Sequence, residues 1–192
     1  MPGTIAPSPA DLDPIIATFW QKGYAAASIG DLVDASGSNR AELYAEYGDK
    51  RGVFLAALQR YHDWVRDAVL PYFAATSDPL ARIRDFLLFF SQGQIAGGPN
   101  CGCLLNNTAV EFGGADAEIK RIVTDMHASV AAFFAAAVAE AKRRGAVRAD
   151  VDPDMAARNL LATAIGVSVL VRVRPDRKWL ATIADGAVAR LQ

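Results

Sequence analysis

The segment from Ser28 to Lys50 most constrains how this chain of 192 residues can fold, because it encodes two short helices around a tight turn. Ser28 stands at an N-cap position and Asp31 follows three residues later, which is the capping-box pattern. An apolar stripe with helical i, i+3, i+4 spacing follows, formed by Ile29, Leu32 and Val33. Gly37 then suits the positive φ of a sharp reversal, so the first helix is expected to end there.

The second helix of this segment is predicted over residues 39–47. Leu43 and Tyr47 face inward at i, i+4 spacing. The side chains left outward are those of Arg40, Glu42, Tyr44 and Glu46. Two short helices joined in this way form the helix-turn-helix pattern, whose second helix can lie in a DNA major groove. Similar helix pairs also occur in all-α proteins that never touch DNA, so spacing alone leaves both interpretations open.

The stretch FWQKGYAAASIGDLVDASGSNRAELYAEYGDKRGVFLAAL resembles the N-terminal domain of the TetR family of transcriptional repressors. The matching pieces cover roughly positions 12 to 60 in order and without gaps: Phe19-Trp20, Lys22-Gly23-Tyr24, Ser28-Ile29, Leu32-Val33, Gly37-Ser38, Leu43-Tyr44, Tyr47 and Asp49-Lys50. The resemblance implies a DNA-binding domain over residues 1–48 and an effector-binding and dimerisation domain over residues 49–192. It also implies that a small molecule bound in the second domain releases the protein from a double-stranded DNA operator.

The helical pattern continues to the C-terminus, so we predict an all-α fold with a three-helix helix-turn-helix head, a C-terminal helical bundle and about nine helices. The expected helices outside the helix-turn-helix cover residues 10–22, 49–70, 79–94, 101–112, 116–144, 153–173 and 176–191. Gly23 is expected to end the first of these and Pro71 to stop the second. In the last two helices, small residues such as Gly166 permit close approach of another helix. The pair therefore reads as half of a four-helix homodimer interface, or alternatively as ordinary intramolecular core.

Composition excludes several classes of protein. The chain has no run of 18 uncharged apolar residues, and its first residues lack the basic and apolar regions of a signal peptide, so we expect a cytoplasmic protein without a membrane partner. Two cysteines argue against a disulfide framework. Residues 1–50 contain three basic and seven acidic residues, a net charge of −4, which is unusual for a DNA-binding face. We therefore expect a dimer of modest affinity for DNA.

The candidate DNA-binding residues divide into two groups. Arg40 can contact guanine, Asn39 adenine and Glu42 the N4 amine of cytosine. Hydroxyls, helix N-termini and an ammonium suit phosphates, which assigns Ser28, Ser38, Tyr44 and Lys50 to the DNA backbone. The resemblance implies the same role for Tyr44 and Lys50. The alternatives are that Asn39 caps its own helix and that Tyr44 only packs.

An effector pocket is predicted in the body. Its apolar wall is expected to contain Phe86, Phe90, Met126 and Phe133, with Asn107, Glu111 and His127 as polar anchors. Each of these aromatic residues also fits a plain core position. Cys103 belongs to a segment, GCLLNNTAVEF, that resembles the edge of the effector cavity in one branch of the family. Cys101 and Cys103 both lie at a predicted helix N-terminus, which would lower their thiol pKa values and suit oxidant sensing. Small buried structural cysteines are the alternative.

The sequence contains no recognisable catalytic motif. There is no Gly-rich phosphate loop, no G-x-S-x-G elbow and no metal-binding spacing, so we expect no catalysis, cofactor or metal. The sequence favours a repressor in which effector binding shifts the linking helix, residues 49–70. A second hypothesis is a helical ligand- or redox-sensing dimer with little or no DNA binding. The negative charge of the first 50 residues supports this hypothesis.

Overall fold

The computed structural model describes residues 12–89 and 100–192, which form helices and contain no strand within those ranges. The nine helices of this part are α1 Asp13–Ala26, α2 Ile29–Ser36, α3 Arg40–Tyr47, α4 Lys50–Trp64 with its continuation, α5 Pro79–Phe89, α6 Leu104–Phe112, α7 Ala117–Arg143, α8 Pro153–Val173 and α9 Arg177–Ala189. The predicted all-α fold is confirmed. The expected break at residues 97–100 lies mostly outside the described residues.

Helices α1 to α3 form a small head whose buried residues share one apolar core with α4 and the body. Phe19 and Trp20 of α1 are buried together with Leu32 of α2 and Leu43 of α3. Backbone dihedrals at Gly23, φ 79° and ψ 169°, interrupt α1 where the sequence predicted its end. The last residues of α1 therefore run in a new direction, toward the body of the protein.

The linking helix α4 is longer than predicted. After Trp64 it continues without interruption through a π-helical segment, Val65–Val69, into Leu70–Ala74. The prediction that Pro71 stops this helix is wrong. A proline removes one backbone donor and crowds the preceding turn, and the wider π turn directly before Pro71 accommodates both effects, since the amide of Leu70 bonds to the carbonyl of Val65.

Helix α7 is the centre of the body and contacts α4, α5, α6 and α8. The helical period of α7 predicts an inward stripe of Ile119, Ile122, Val123, Met126, Val130, Phe133, Phe134 and Val138. All of these are buried except Phe133, which is half-buried, and Ala137 and Ala141 are buried as well. Helices α8 and α9 cover one side of α7 and α5. By length and composition alone, α7 and α8 are also long and apolar enough to cross a membrane. The contacts of α7 on several sides are those of a core helix.

Candidate DNA-reading surface and its attachment to the body

The turn between α2 and α3 is built by local caps. Ser28 Oγ accepts a hydrogen bond from the amide of Asp31 at 3.1 Å, and the Asp31 carboxylate accepts one from the amide of Ser28 at 2.8 Å. Gly37 adopts φ 71° and ends α2 in the left-handed conformation. These bonds span at most four residues, so the sequence alone fixes the geometry that places α3 on the outside of the head.

A second capping box begins α3. Asn39 Oδ1 accepts from the amide of Glu42 at 3.0 Å, and Glu42 Oε2 accepts from the amide of Asn39 at 2.9 Å. The interpretation that Asn39 caps its own helix is therefore confirmed. A contact of Asn39 with adenine stays a prediction, and it would have to use the side-chain NH₂ group, which the cap leaves unoccupied.

The outer face of α3 carries Arg40 and Tyr44, one helical turn apart. The Arg40 guanidinium lies 5.1 Å from the centroid of the Tyr44 ring, a cation–π contact that holds both side chains on the same face. Leu43, on the opposite face, is buried and fixes the rotation of the helix. Lys50 begins α4, and its Nζ lies 4.5 Å from the centroid of the Tyr24 ring. Ser38 lies in the turn, partly exposed.

The acidic residues of the head do not form a uniform negative face. The carboxylates of Asp31, Glu42 and Asp49 each accept a backbone hydrogen bond at the start of α2, α3 or α4, where the helix dipole favours negative charge. Lys22 Nζ also binds Asp31 Oδ1 at 2.6 Å. The hydrogen bond from Lys22, followed by those from Ser28, lowers the pKa of Asp31 to about 2. These carboxylates stay ionised, so the net charge of −4 is unchanged, but three of its seven acidic groups are bound by backbone amides at helix starts.

The predicted effector residues do not meet in one cavity of the described structure. Phe86 is buried, and its ring centroid lies 5.1 Å from that of Phe133. Met126 is also buried. Phe90 lies outside the described residues. The rings of Phe86 and Phe133 pack together between α5 and α7, whereas the residues predicted as polar anchors lie in two other places.

His127 takes part in a buried polar chain. Its Nε2 lies 2.9 Å from Asn106 Oδ1, and Asn106 Nδ2 donates to Ser168 Oγ at 2.8 Å. Burial lowers the pKa of His127, which favours the neutral ring with its Nε2 proton donated to Asn106. This chain joins α7, α6 and α8. Asn106 and Ser168 are not predictable as site residues from the sequence, because neither residue shows from its position alone that it is buried.

Cys103 is fully buried at the N-cap of α6 and receives a hydrogen bond from the Tyr61 hydroxyl at 3.4 Å. Burial raises the pKa of the Cys103 thiol, and it also raises that of Cys101. The prediction that the helix N-terminus lowers these pKa values is wrong, because loss of hydration outweighs the backbone amides. Cys103 fits the alternative of a structural cysteine packed at a helix start.

Asn107 and Glu111 lie on a different face of α6, which turns toward the head. Asn107 Nδ2 donates to the carbonyl of Cys101 at 2.9 Å. The Glu111 carboxylate accepts hydrogen bonds from the amides of Tyr24, at 3.0 Å, and Ala25, at 2.7 Å. Both residues line a cavity of about 260 Å³ between α1 and α6, together with Trp20 and the exposed Arg172.

Three ring nitrogens that the sequence analysis did not single out are buried without a hydrogen-bond partner in the described part of the chain. They are Trp20 Nε1, His62 Nε2 and Trp64 Nε1. Buried polar atoms of this kind are uncommon and mark places where a ligand or water can bind. No sequence signal identifies them, since an aromatic residue in an apolar stripe does not reveal whether its N–H finds a partner.

Two family models match this chain. The model "Bacterial regulatory proteins, tetR family" matches residues 12–57, and "Tetracyclin repressor-like, C-terminal domain" matches residues 79–186. The transcriptional repressor ComR of Escherichia coli is 27% identical over 183 residues, which are 95% of this chain and 87% of that protein. The uncharacterized transcriptional regulator YezE of Bacillus subtilis is 28% identical over 180 residues, 92% of this chain and 91% of that protein.

Solved structures share the fold. A TetR family regulator from Agrobacterium tumefaciens superposes with a TM-score of 0.82 at 18% identity, covering 95% of this chain and 96% of that one. A cysteine mutant of the TetR family regulator CifR, complexed with 26 bp of double-strand operator DNA, superposes with a TM-score of 0.80 at 20% identity. Coverage of that match is 95% of each chain.

Proposed function

This chain belongs to the TetR family of transcriptional regulators, and we propose that it is a repressor that binds a palindromic operator as a homodimer and leaves it when a small molecule binds. The family is one of non-enzymatic DNA-binding regulators, and a cytoplasmic location follows from this role. In the proposal, residues 1–48 read DNA and residues 49–192 bind the effector and the second subunit.

The observation that carries the proposal is the exposed face of α3. Arg40 and Tyr44 lie side by side on it, while two capping boxes and buried Leu43 hold the helix in place. A guanidinium on such a face suits guanine O6 and N7, and the tyrosine hydroxyl and Lys50 suit phosphates. Three head carboxylates are held in helix caps by backbone amides, but they stay ionised, so we expect only modest affinity for DNA of arbitrary sequence.

A seam on α8 supports the homodimer. Residues spaced alternately four and three positions apart form an outward stripe: Met155, Asn159, Ala162, Gly166, Val169 and Val173. Met155, Val169 and Val173 expose 65%, 38% and 80% of their surface. A Cβ added at Gly166, or at Gly186 of α9, would meet no atom within 4 Å. An apolar 3–4 stripe with open glycines is the pattern of a helix that packs closely against another helix.

A cluster of aromatic rings supports effector binding in the body. Ring contacts of 5.4 to 6.2 Å connect Trp64 to Phe89, Phe89 to Phe73 and Phe73 to Phe86. The buried indole N–H of Trp64 lacks a partner in the described residues. Apolar walls with a few unsatisfied polar groups are typical of small-molecule sites. Effector binding beside α4 would move this helix and change the separation of the two recognition helices from the ~34 Å between successive major grooves.

The proposal is tested by selecting duplexes from a random DNA pool with the purified protein. We expect enrichment of a palindrome. Arg40→Ala should relax the preference at one base pair per half-site and weaken binding by about 1–3 kcal/mol. Arg143→Ala, which removes an equal charge at the far end of α7, is the matched control and should change neither quantity.

The dependence of affinity on salt separates a DNA reader from a dimer without operator affinity. Lys50→Ala should weaken binding to all sequences alike and reduce the slope of log K against log[salt] by about 1. Tyr44→Phe removes only the hydroxyl and should weaken binding without altering the preferred sequence. If no duplex is enriched even at low salt, the repressor proposal is refuted.

A further inference from the structure

Glu111 makes an unusual attachment between the body and the head. It lies on α6, and its carboxylate oxygens bind the backbone amides of Tyr24 and Ala25, residues 87 and 86 positions away in the chain. These two amides follow the break at Gly23, where the backbone leaves the helical conformation. Hydrogen bonds from N–H groups to an ionised carboxylate are stronger than those between neutral groups. A carboxylate of the body thus binds the two backbone amides of the head that follow the change in chain direction.

The glycine at position 23 is required for this attachment. Its φ of 79° is a conformation that other residues rarely adopt, and a Cβ built there would lie only 3.2 Å from Glu111 Oε2. The sequence therefore provides both the conformation and the space that the Glu111 carboxylate needs. Residues 23–25 lead directly into Ser28 and α2, so the attachment lies at the entrance to the helix-turn-helix.

The other contacts of the junction are an ion pair at the start of α4 and aromatic ring contacts that include Tyr24 of α1. Arg51 Nε and Nη2 bind Asp116 at 2.7 and 3.0 Å, which fixes the start of α4 to the start of α7. The ring of Phe112 lies 5.2 Å from that of Tyr24 and 5.6 Å from that of Phe54. Among the hydrogen bonds of the described residues, those of Glu111 alone join α1 directly to the body. Apolar ring contacts resist separation but restrict rotation poorly, whereas two directed bonds to adjacent amides restrict both.

We propose that Glu111 is a positioning residue for operator binding. It fixes the angle of the head on the body, and thereby the separation and tilt of the two α3 helices in the dimer. The inference rests on the proposed function, because only a dimeric reader of two half-sites needs this angle to be fixed. A rigid duplex presents its successive major grooves at one spacing, so a head that rotates freely loses affinity for that spacing and gains tolerance for others.

The experiment measures affinity for operators with altered spacing. Starting from the selected palindrome, one or two base pairs are inserted or deleted between the half-sites, and Kd is measured for wild type, Glu111→Ala, Glu111→Gln and Val110→Ala. Wild type should prefer the native spacing sharply. Glu111→Ala should weaken binding at the native spacing roughly tenfold, because solvent screens both hydrogen bonds of this exposed carboxylate, and should flatten the preference. Glu111→Gln keeps one acceptor oxygen and should lie between these two.

Val110→Ala is the matched control, because Val110 is the exposed neighbour of Glu111 on the same helix and shortening it leaves both hydrogen bonds in place. It should retain the wild-type preference. Amide hydrogen exchange at Tyr24 and Ala25 gives a readout that does not involve DNA, and it should accelerate in Glu111→Ala but not in Val110→Ala. A variant that was only less stable would bind every spacing more weakly by the same factor.

The outcomes separate the inference from the function on which it rests. If wild type selects no duplex, the proposed function fails and the positioning role falls with it. If wild type selects a palindrome and Glu111→Ala keeps the same ratio of affinities across the spacing series, the function stands and the positioning role is overturned. Unchanged exchange at Tyr24 and Ala25 in Glu111→Ala overturns it as well.

Discussion

Replacing Gly102 by alanine should destabilise the body far more than the same replacement at Gly145. Both glycines have positive φ values, +68° and +74°. Alanine in this left-handed conformation lowers the free energy of unfolding by roughly 1–2 kcal/mol at either site. Alanine also stabilises by restricting the unfolded chain, by about 0.4–1 kcal/mol at either site. These two contributions are alike in the two variants and cancel when the variants are compared.

The difference arises from what the new methyl group meets. At Gly145 no atom lies within 4 Å, whereas at Gly102 the carbonyl oxygen of Ser168 would lie only 2.0 Å from the added Cβ. That oxygen belongs to the backbone of α8, so it cannot rotate away, and α8 or the segment before α6 has to shift. Forced shifts in a packed interior cost about 1–3 kcal/mol, and this is the expected excess of Gly102→Ala over Gly145→Ala.

The assay is urea unfolding followed by far-UV circular dichroism, at one fixed protein concentration because dimer stability depends on it. The shift at Gly102 would also disturb the hydrogen bond between Asn106 and Ser168 and, through it, His127. Equal free energies of unfolding for the two variants would refute the reasoning.

Three further predictions concern packing, charge and assembly. Phe134→Ala removes a fully buried ring and should lower the free energy of unfolding by about 3–5 kcal/mol, measured by urea titration. The hydrogen bond from Arg51, then those from backbone amides, lowers the pKa of Asp116 from 3.8 to about 2, so its contribution to stability is present above pH 3.8 and is lost as the pH falls toward 2. The stability difference between wild type and Asp116→Asn should therefore shrink over that range, and a constant difference would contradict this. Val173→Asp places a charge on the α8 seam and should shift the protein from dimer to monomer in light scattering, whereas Asp85→Asn on α5 should leave the dimer intact.

The sequence by itself determined the parts of the molecule that depend on neighbours within one helical turn. The N-cap at Ser28 and the left-handed Gly37 are where the pattern predicted them, because each bond joins residues at most four positions apart. The helices expected from residues 49 and 116 also begin there, with Asp49 and Asp116 as N-caps. The buried stripe of α7 followed from periodicity for the same reason. The expectation that a proline ends a helix was wrong at Pro71, because the π turn before it accommodates the missing N–H donor, and residue propensities do not predict such a turn.

Only the tertiary structure decided where the chemistry of these residues is used. The sequence identified Glu111 as a polar group of interest, but its partners lie 86 and 87 residues away, and nothing local connects them. Cys103 shows the same limit: its position at a helix start suggests a lowered pKa, and its burial reverses the direction. Caps and stripes are local quantities, whereas hydration and the partner across an interface depend on the packing of the whole chain, which periodicity does not specify.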